Sequence, residues 1–220
     1  MFVLAIDTSS AYVVVGVTDG GRVLAERRRF LPRGHGELLS PSIAACLAEA
    51  GLRPAELGAV VAGVGPGPYT GLRVGLVTAA AMGDALSIPT YGVCSLDPIG
   101  RDLARDEGDV LVVTDARRKE VYWARYDEQG HRLDGPHVDR PADVDVTGVG
   151  LIGGAGVQLY PDAWPADIAQ VAEAPPRPGA LDDEALTRIR NGAESEPLTP
   201  LYLRRPDAVE PGAPKPVSQR

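Results

Sequence analysis

Two aspartates stand at corresponding places in the chain. Asp7 follows the apolar run Val3-Leu4-Ala5-Ile6, and Asp115 follows Val110-Leu111-Val112-Val113-Thr114. A carboxylate at such a strand end, beside backbone N–H groups, can hold a metal-bound phosphate. Thr8, Ser9 and Ser10 put hydroxyls next to Asp7, Arg117 puts a cation next to Asp115, and Gly153-Gly154-Ala155-Gly156 supplies a glycine turn. One reading is an autonomous ATPase or small-molecule kinase that uses Asp7, Thr8, Asp115 and the turn at 153–156. Against it, the Asp7 turn lacks the glycine that lets phosphate approach the backbone, and Asp115 is followed by a bulky arginine. A glycine turn alone is more often just a turn. The residues favour a degenerate nucleotide pocket made of Asp7, Thr8, Ser9, Asp115, Arg117, Gly153 and Gly154.

Other chemistries have less support. Residues 65–71 carry glycines but no Lys-Ser/Thr pair of a phosphate loop, and the chain has no Gly-x-Ser-x-Gly elbow and no His-Glu-x-x-His helix. Of three histidines, His35 stands alone on a helical pattern and reads as a capping or interface residue, while His131 and His137 read as solvent-facing. No metal site is expected. Cys46 and Cys94 have no CxxC spacing and read as buried reduced thiols.

The elements that carry these groups repeat. Apolar runs at 2–6 and 12–17, with a turn at Asp19-Gly20-Gly21 and a third strand after it, open the chain as an antiparallel meander. Val110–Asp115, Val121–Asp127 and a strand after Gly130 repeat that unit, and Asp7 and Asp19 have the same spacing as Asp115 and Asp127. Helical spacing at 35–50 ending on Gly51, a strand at 58–64, a helix at about 70–86, a strand at 89–94 and a helix near 96–106 follow the first unit. The expected fold is therefore α/β, with two tandem ribonuclease-H-like lobes, each a mixed sheet with flanking helices. The lobes are placed at 1–106 and 107–204. Residues 161–180 read as irregular, 181–190 as a helix, and the Pro-rich stretch 205–220 as a disordered tail.

The stretch 65–83 organises the first lobe. Gly65, Pro66, Gly67 and Pro68 stop the preceding strand, and Thr70 is the expected N-cap of the helix that follows. Gly71, Gly75, Ala79 and Gly83 fall every four residues and form one ridge almost without side chains. An interior glycine costs a helix about 1 kcal/mol relative to alanine, so the ridge implies close backbone packing, either inside the lobe or against a partner. Leu72, Leu76, Val77, Ala80 and Met82 are expected to meet the sheet. Arg73 lies in the first turn, where the helix dipole opposes a cation, so its guanidinium is expected to have a specific acceptor, either in the chain or across an interface.

The chain has 220 residues and a formal net charge of −8, which argues against a stand-alone nucleic-acid binder. It opens directly on a strand-like run and has no apolar stretch of the length needed to span a bilayer, so a cytoplasmic protein is expected.

Several of these segments carry a family resemblance. Leu4-Ala5-Ile6-Asp7-Thr8-Ser9, Gly65 to Gly75, Tyr91-Gly92-Val93-Cys94-Ser95-Leu96, Asp115-Ala116-Arg117 with Glu120-Val121-Tyr122, and Pro200 to Arg204 resemble the TsaB (YeaZ) family. The resemblance implies the two-lobed fold of the actin, hexokinase and Hsp70 superfamily. It implies a non-catalytic accessory subunit that binds and activates TsaD, the larger paralogue, which transfers threonylcarbamoyl to adenosine in ANN-decoding tRNA. A TsaE-like ATPase would complete the assembly, and tRNA would be met only through the complex. Alone, the chain is expected to pair with itself as a homodimer through the same surface. No cofactor is expected on the chain itself, with ATP or ADP at the junction with the partner. The implied interface comprises His35, Leu39, Ile43, Tyr69, Thr70, Leu72, Arg73, Gly75 and Ala79. The paralogue carries a His-x-x-x-His pair on its first helix; here His35 is followed four residues on by Leu39, so the metal pair is incomplete.

Overall fold

The computed structural model describes residues 1–32, 34–105, 108–172 and 174–204. The stretch 205–220, expected as a tail, lies outside the described residues. Three antiparallel strands open the chain, β1 (Phe2–Asp7), β2 (Tyr12–Asp19) and β3 (Arg22–Phe30). Helix α1 (His35–Ala50) follows and ends on Gly51 at φ 68°, a left-handed position that suits glycine. Pro41 lies inside α1 rather than at its start. Strand β4 (Leu57–Gly63), helix α2 (Tyr69–Leu86) and strand β5 (Thr90–Val93) complete a sheet of order β3-β2-β1-β4-β5, with β4 parallel to both β1 and β5.

The second lobe repeats this order. Helix α3 (Asp97–Leu103) leads to β6 (Asp109–Asp115), β7 (Val121–Tyr126) and β8 (Arg132–Asp139), then β9 (Val149–Gly153), the short helix α4 (Ala155–Leu159) and β10 (Ala169–Val171). The sheet runs β10-β9-β6-β7-β8. Asp7 pairs with Val14 at the end of β1, and Asp115 pairs with Val121 at the end of β6. The two carboxylates therefore close equivalent hairpins, and the fold is the expected pair of ribonuclease-H-like lobes. Strand β10 falls in the stretch expected to be irregular; three residues between prolines are too few to show a period.

One helix from each side of residues 106 and 107 packs on the sheet of the other side. Helix α3 covers the second sheet, where Ile99 and Leu103 pack with Val110, Val112, Tyr122 and Leu151. Helix α5 (Pro178–Arg190) returns to the first sheet, where Leu181, Ala185 and Ile189 pack with Val3, Ala5, Ala59, Val61 and Tyr91. The other face of that sheet is covered by α1 and α2 through Leu39, Ile43, Leu47, Leu72, Leu76 and Ala79. Apolar burial decides this arrangement. The strands of the first sheet are hydrophobic on both faces, and α1 and α2 can cover only one. Polar groups fix α5: Asp182 Oδ2 accepts the Thr18 hydroxyl at 2.6 Å and the Gly21 N–H at 3.2 Å.

The small-residue ridge of α2 faces inward. A Cβ on Gly75 would stand 2.4 Å from Thr8 Oγ1, and one on Gly83 would stand 2.4 Å from Thr90 Cγ2. Val77, expected against the sheet, is 68% exposed, because the inner arc is taken by Leu72, Gly75, Leu76 and Ala79 and helical spacing turns position 77 outward. Thr70 is not the N-cap either. Pro68 caps the helix with extended geometry and no side-chain bond, its carbonyl accepting the Leu72 N–H at 3.1 Å, while Thr70 is exposed in the first turn.

Gly75→Ala should therefore lower unfolding free energy by about 1–3 kcal/mol, the usual cost of overpacking. Gly36→Ala in α1, where a Cβ meets nothing, should be tolerated. Urea denaturation of both variants checks this; equal small effects would show that the ridge is not in close contact.

Candidate functional site

The turn after β1 is sealed rather than open. Asp7 is fully buried; its Oδ1 accepts the Ser9 N–H at 2.8 Å and the Ser9 hydroxyl at 2.7 Å. Its Oδ2 has no hydrogen-bond partner among the described residues and lies against Gly63, where a Cβ would approach to 1.8 Å. Burial raises the carboxyl above its ordinary value, against the lowering effect of Ser95 and Ser9. The Thr8 hydroxyl donates to Gly71 O at 2.8 Å and accepts the Gly75 N–H at 3.0 Å. Gly67 covers the turn from the other side, since a Cβ there would stand 2.2 Å from Ser9 O. His35, at the start of α1, is buried with Nε2 2.8 Å from Ser10 O. It pins the turn instead of facing a ligand.

Between the lobes lies a cleft of about 250 Å³ whose walls include Tyr12, Phe30, Pro66, Ile99, Leu159 and Pro175, with Ser9, Asp115 and Arg117 as polar members. Asp115 is occupied by its neighbour: one carboxylate oxygen accepts the Arg117 N–H at 2.7 Å and the other pairs with the Arg117 guanidinium at 3.1 Å. Gly153 and Gly154 are buried beneath the wall. A Cβ on Gly153 would meet Leu103 at 2.2 Å, and one on Gly154 would meet Val113 O at 2.3 Å. These glycines let β9 and α4 pack on α3 and β6.

The predicted pocket residues thus divide. Ser9, Asp115 and Arg117 reach the cleft, whereas Asp7, Thr8, Gly153 and Gly154 are packing residues. A magnesium nucleotide does not fit this set. The Ser9, Arg117 and Gly154 N–H groups all donate within the chain, to Asp7, Asp115 and Val171 O. One carboxylate is buried and the other is held by an arginine. Among the described residues no three His, Cys, Asp or Glu side chains converge as a metal site. Burial pushes the Cys46 thiol up to about 11 and the Cys94 thiol up to about 12, which leaves both protonated.

The predicted interface residues divide in the same way. Leu39, Ile43, Leu72, Gly75 and Ala79 are buried in the first lobe, whereas Thr70 and Arg73 are exposed. The surface of α2 is instead the stripe Thr70, Arg73, Val77, Ala80, Ala81 and Asp84, all exposed. Next to it, α1 exposes Ser40, Pro41, Ala44 and Ala48. Arg73 has its acceptor within the chain. Its Nε donates to the Tyr202 hydroxyl at 2.8 Å, and its guanidinium lies 5.6 Å from the ring centres of both Tyr69 and Tyr202. Sequence reading missed Val77 and Tyr202. The outward face of α2 was the one signal available for Val77, and it required knowing which way the ridge pointed.

The sequence model described as TsaD, tRNA N6-adenosine threonylcarbamoyltransferase, matches residues 29–158. The protein named tRNA threonylcarbamoyladenosine biosynthesis protein TsaB from Escherichia coli is 32% identical over 173 residues, covering 74% of each chain. The chain belongs to the TsaB (YeaZ) family. An uncharacterized protein of Mycobacterium tuberculosis is 48% identical over 208 residues, covering 94% of this chain and 93% of its own. The solved structure of YeaZ from Pseudomonas aeruginosa superposes with a TM-score of 0.79 at 28% identity, covering 92% of this chain and 99% of that one. This member of the TsaB family shares the fold of that structure, two mixed sheets with flanking helices, and no helix among its described residues is long and apolar enough to cross a membrane.

The sealed carboxyl gives a pH prediction. Because burial raises the Asp7 value in the folded state, the stability it contributes is full below the unfolded value of 3.8 and is lost as pH rises through the folded value. Asp7→Asn should therefore raise the melting temperature at pH 7.5, and the gain should shrink as pH falls towards 4. A variant that melts lower than the parent at every pH would show that the charged carboxylate is held by an interaction other than those described.

Proposed function

We propose that the chain takes part in tRNA threonylcarbamoyladenosine biosynthesis as an accessory subunit that binds and activates a TsaD-like threonylcarbamoyltransferase acting on ANN-decoding tRNA. The observation that carries this reading is the outer stripe of α2. The small and apolar residues Val77, Ala80 and Ala81, flanked by Arg73 and Asp84, make a helix face that another helix can approach closely. The adjoining surface of α1 extends it with Pro41, Ala44 and Ala48. The match of the TsaD sequence model over 29–158 supports descent from a common lobe.

The cleft supports a non-catalytic role, since its Asp115 carboxylate and the amide donors of Ser9 and Arg117 are consumed within the chain. On this reading ATP or ADP is held at the junction with the partner, and a TsaE-like ATPase joins the assembly. The net charge of −8 fits a subunit that meets tRNA only through the complex. In the absence of the partner, the same stripe pairs two copies of the chain.

Val77→Arg tests the reading, because the side chain is 68% exposed and the change leaves the core untouched. Co-purification with the TsaD-like protein and chain-dependent tRNA modification should both be lost, with circular dichroism and melting temperature unchanged. Retained binding, or Mg-ATP turnover by the isolated chain, would contradict the proposal.

A further inference from the structure

The segment after α5 recrosses both lobes. The Glu196 N–H donates to Thr90 O at 2.9 Å and the Leu201 N–H donates to Val64 O at 2.8 Å. Leu201 packs against the cores of both lobes, Tyr202 against the first and Leu203 against the second. Polar contacts continue the crossing. The Tyr202 ring lies 4.4 Å from the Tyr69 ring, and the Tyr69 hydroxyl donates to the Arg204 carbonyl at 2.6 Å. The Arg204 guanidinium donates to Ala116 O at 2.9 Å and pairs with the Glu120 carboxylate.

Ala116 and Glu120 close the turn between β6 and β7, through Ala116 N–H to Glu120 O at 3.1 Å and Glu120 N–H to Arg117 O at 3.0 Å. Inside it, Arg117, Arg118 and Lys119 all have positive φ, at 62°, 54° and 64°. Three consecutive side-chain-bearing residues in that region are costly and persist only where the surroundings fix them. Arg204 is one group that fixes this turn from outside it. The first turn of α2 and the second-lobe turn on the cleft wall are thus tied by one short segment.

We propose that Tyr69, Tyr202 and Arg204 form a clasp that sets the spacing of the lobes across the cleft, and that its closure is coupled to occupancy of the outer face of α2. The inference rests on the reading of that face as the partner surface. Arg73 is the shared group: it is exposed on the stripe and bonded to Tyr202. A partner seated on the stripe meets Arg73 in the orientation that the closed clasp gives it. A surface that binds the closed state better must, by linkage, stabilise that state when bound.

Spin labels on Ala55→Cys, between α1 and β4 in the first lobe, and Asp143→Cys in the second lobe, both exposed, report the lobe spacing by electron–electron distance measurement; the buried native thiols remain unlabelled. The full chain should give one narrow distribution, and Arg204→Ala should broaden it and weaken binding to the TsaD-like protein at least tenfold. Tyr69→Phe, which removes only one hydroxyl, should do the same to a smaller extent. An unchanged width in both variants would overturn the clasp, and a broadened width with unchanged affinity would overturn the coupling. If the unsubstituted chain fails to bind the partner, the accessory-subunit reading fails and takes the coupling with it, while the distance widths still decide the clasp.

Discussion

The close approach of α2 to the end of β1 depends on the absence of side chains at Gly71 and Gly75, where the Thr8 hydroxyl bonds to one backbone carbonyl and one backbone N–H. A helix lying that near the strand end takes the space that a phosphate would need and converts the Asp7 turn into core. The same contact fixes the rotation of α2. With Gly75, Ala79 and Gly83 turned inward, Thr70, Arg73, Val77 and Ala81 must turn outward. The sealed Asp7 turn and the outward face of α2 are consequences of one packing choice.

The second lobe is packed as closely at the corresponding place. Its glycines at 153 and 154 admit Leu103 and the Val113 carbonyl rather than a ligand, and Asp115 holds Arg117. The lobes are joined by more than their linker, since α3 and α5 each cover the other lobe's sheet. The ion pair Arg101–Glu184 at 2.8 Å runs between those helices, and Arg177, just before α5, pairs with Asp102 of α3 at 2.5 Å. They are substantially exposed, so their effect is on geometry more than on stability. The whole behaves as a frame that presents α2.

The repeated strand unit was legible because period-2 apolar runs ending in aspartate recur at equal spacing, and both sheets have the order which that repeat implies. The helices at 35–50 and 70–86 were legible from spacing and Gly51. What escaped were features set by long-range contact. Nothing local in Leu181, Ala185 and Ile189 says that they cover the first sheet, and nothing in the glycine ridge says which backbone it meets. Val77 and Leu76 are equally apolar in sequence, and only the rotation fixed by Thr8 separates surface from core. Arg73 was recognised as needing an acceptor, but Tyr202 lies 129 residues away.

The most direct test of the account is hydrogen exchange of the full chain, read by mass spectrometry with and without the TsaD-like protein. Slowed exchange should concentrate in residues 36–50 and 69–86, with the segments that line the cleft at 9–12 and 114–117 changing little. Protection centred on those cleft segments, with α2 unaffected, would contradict the proposal that α2 is the partner surface.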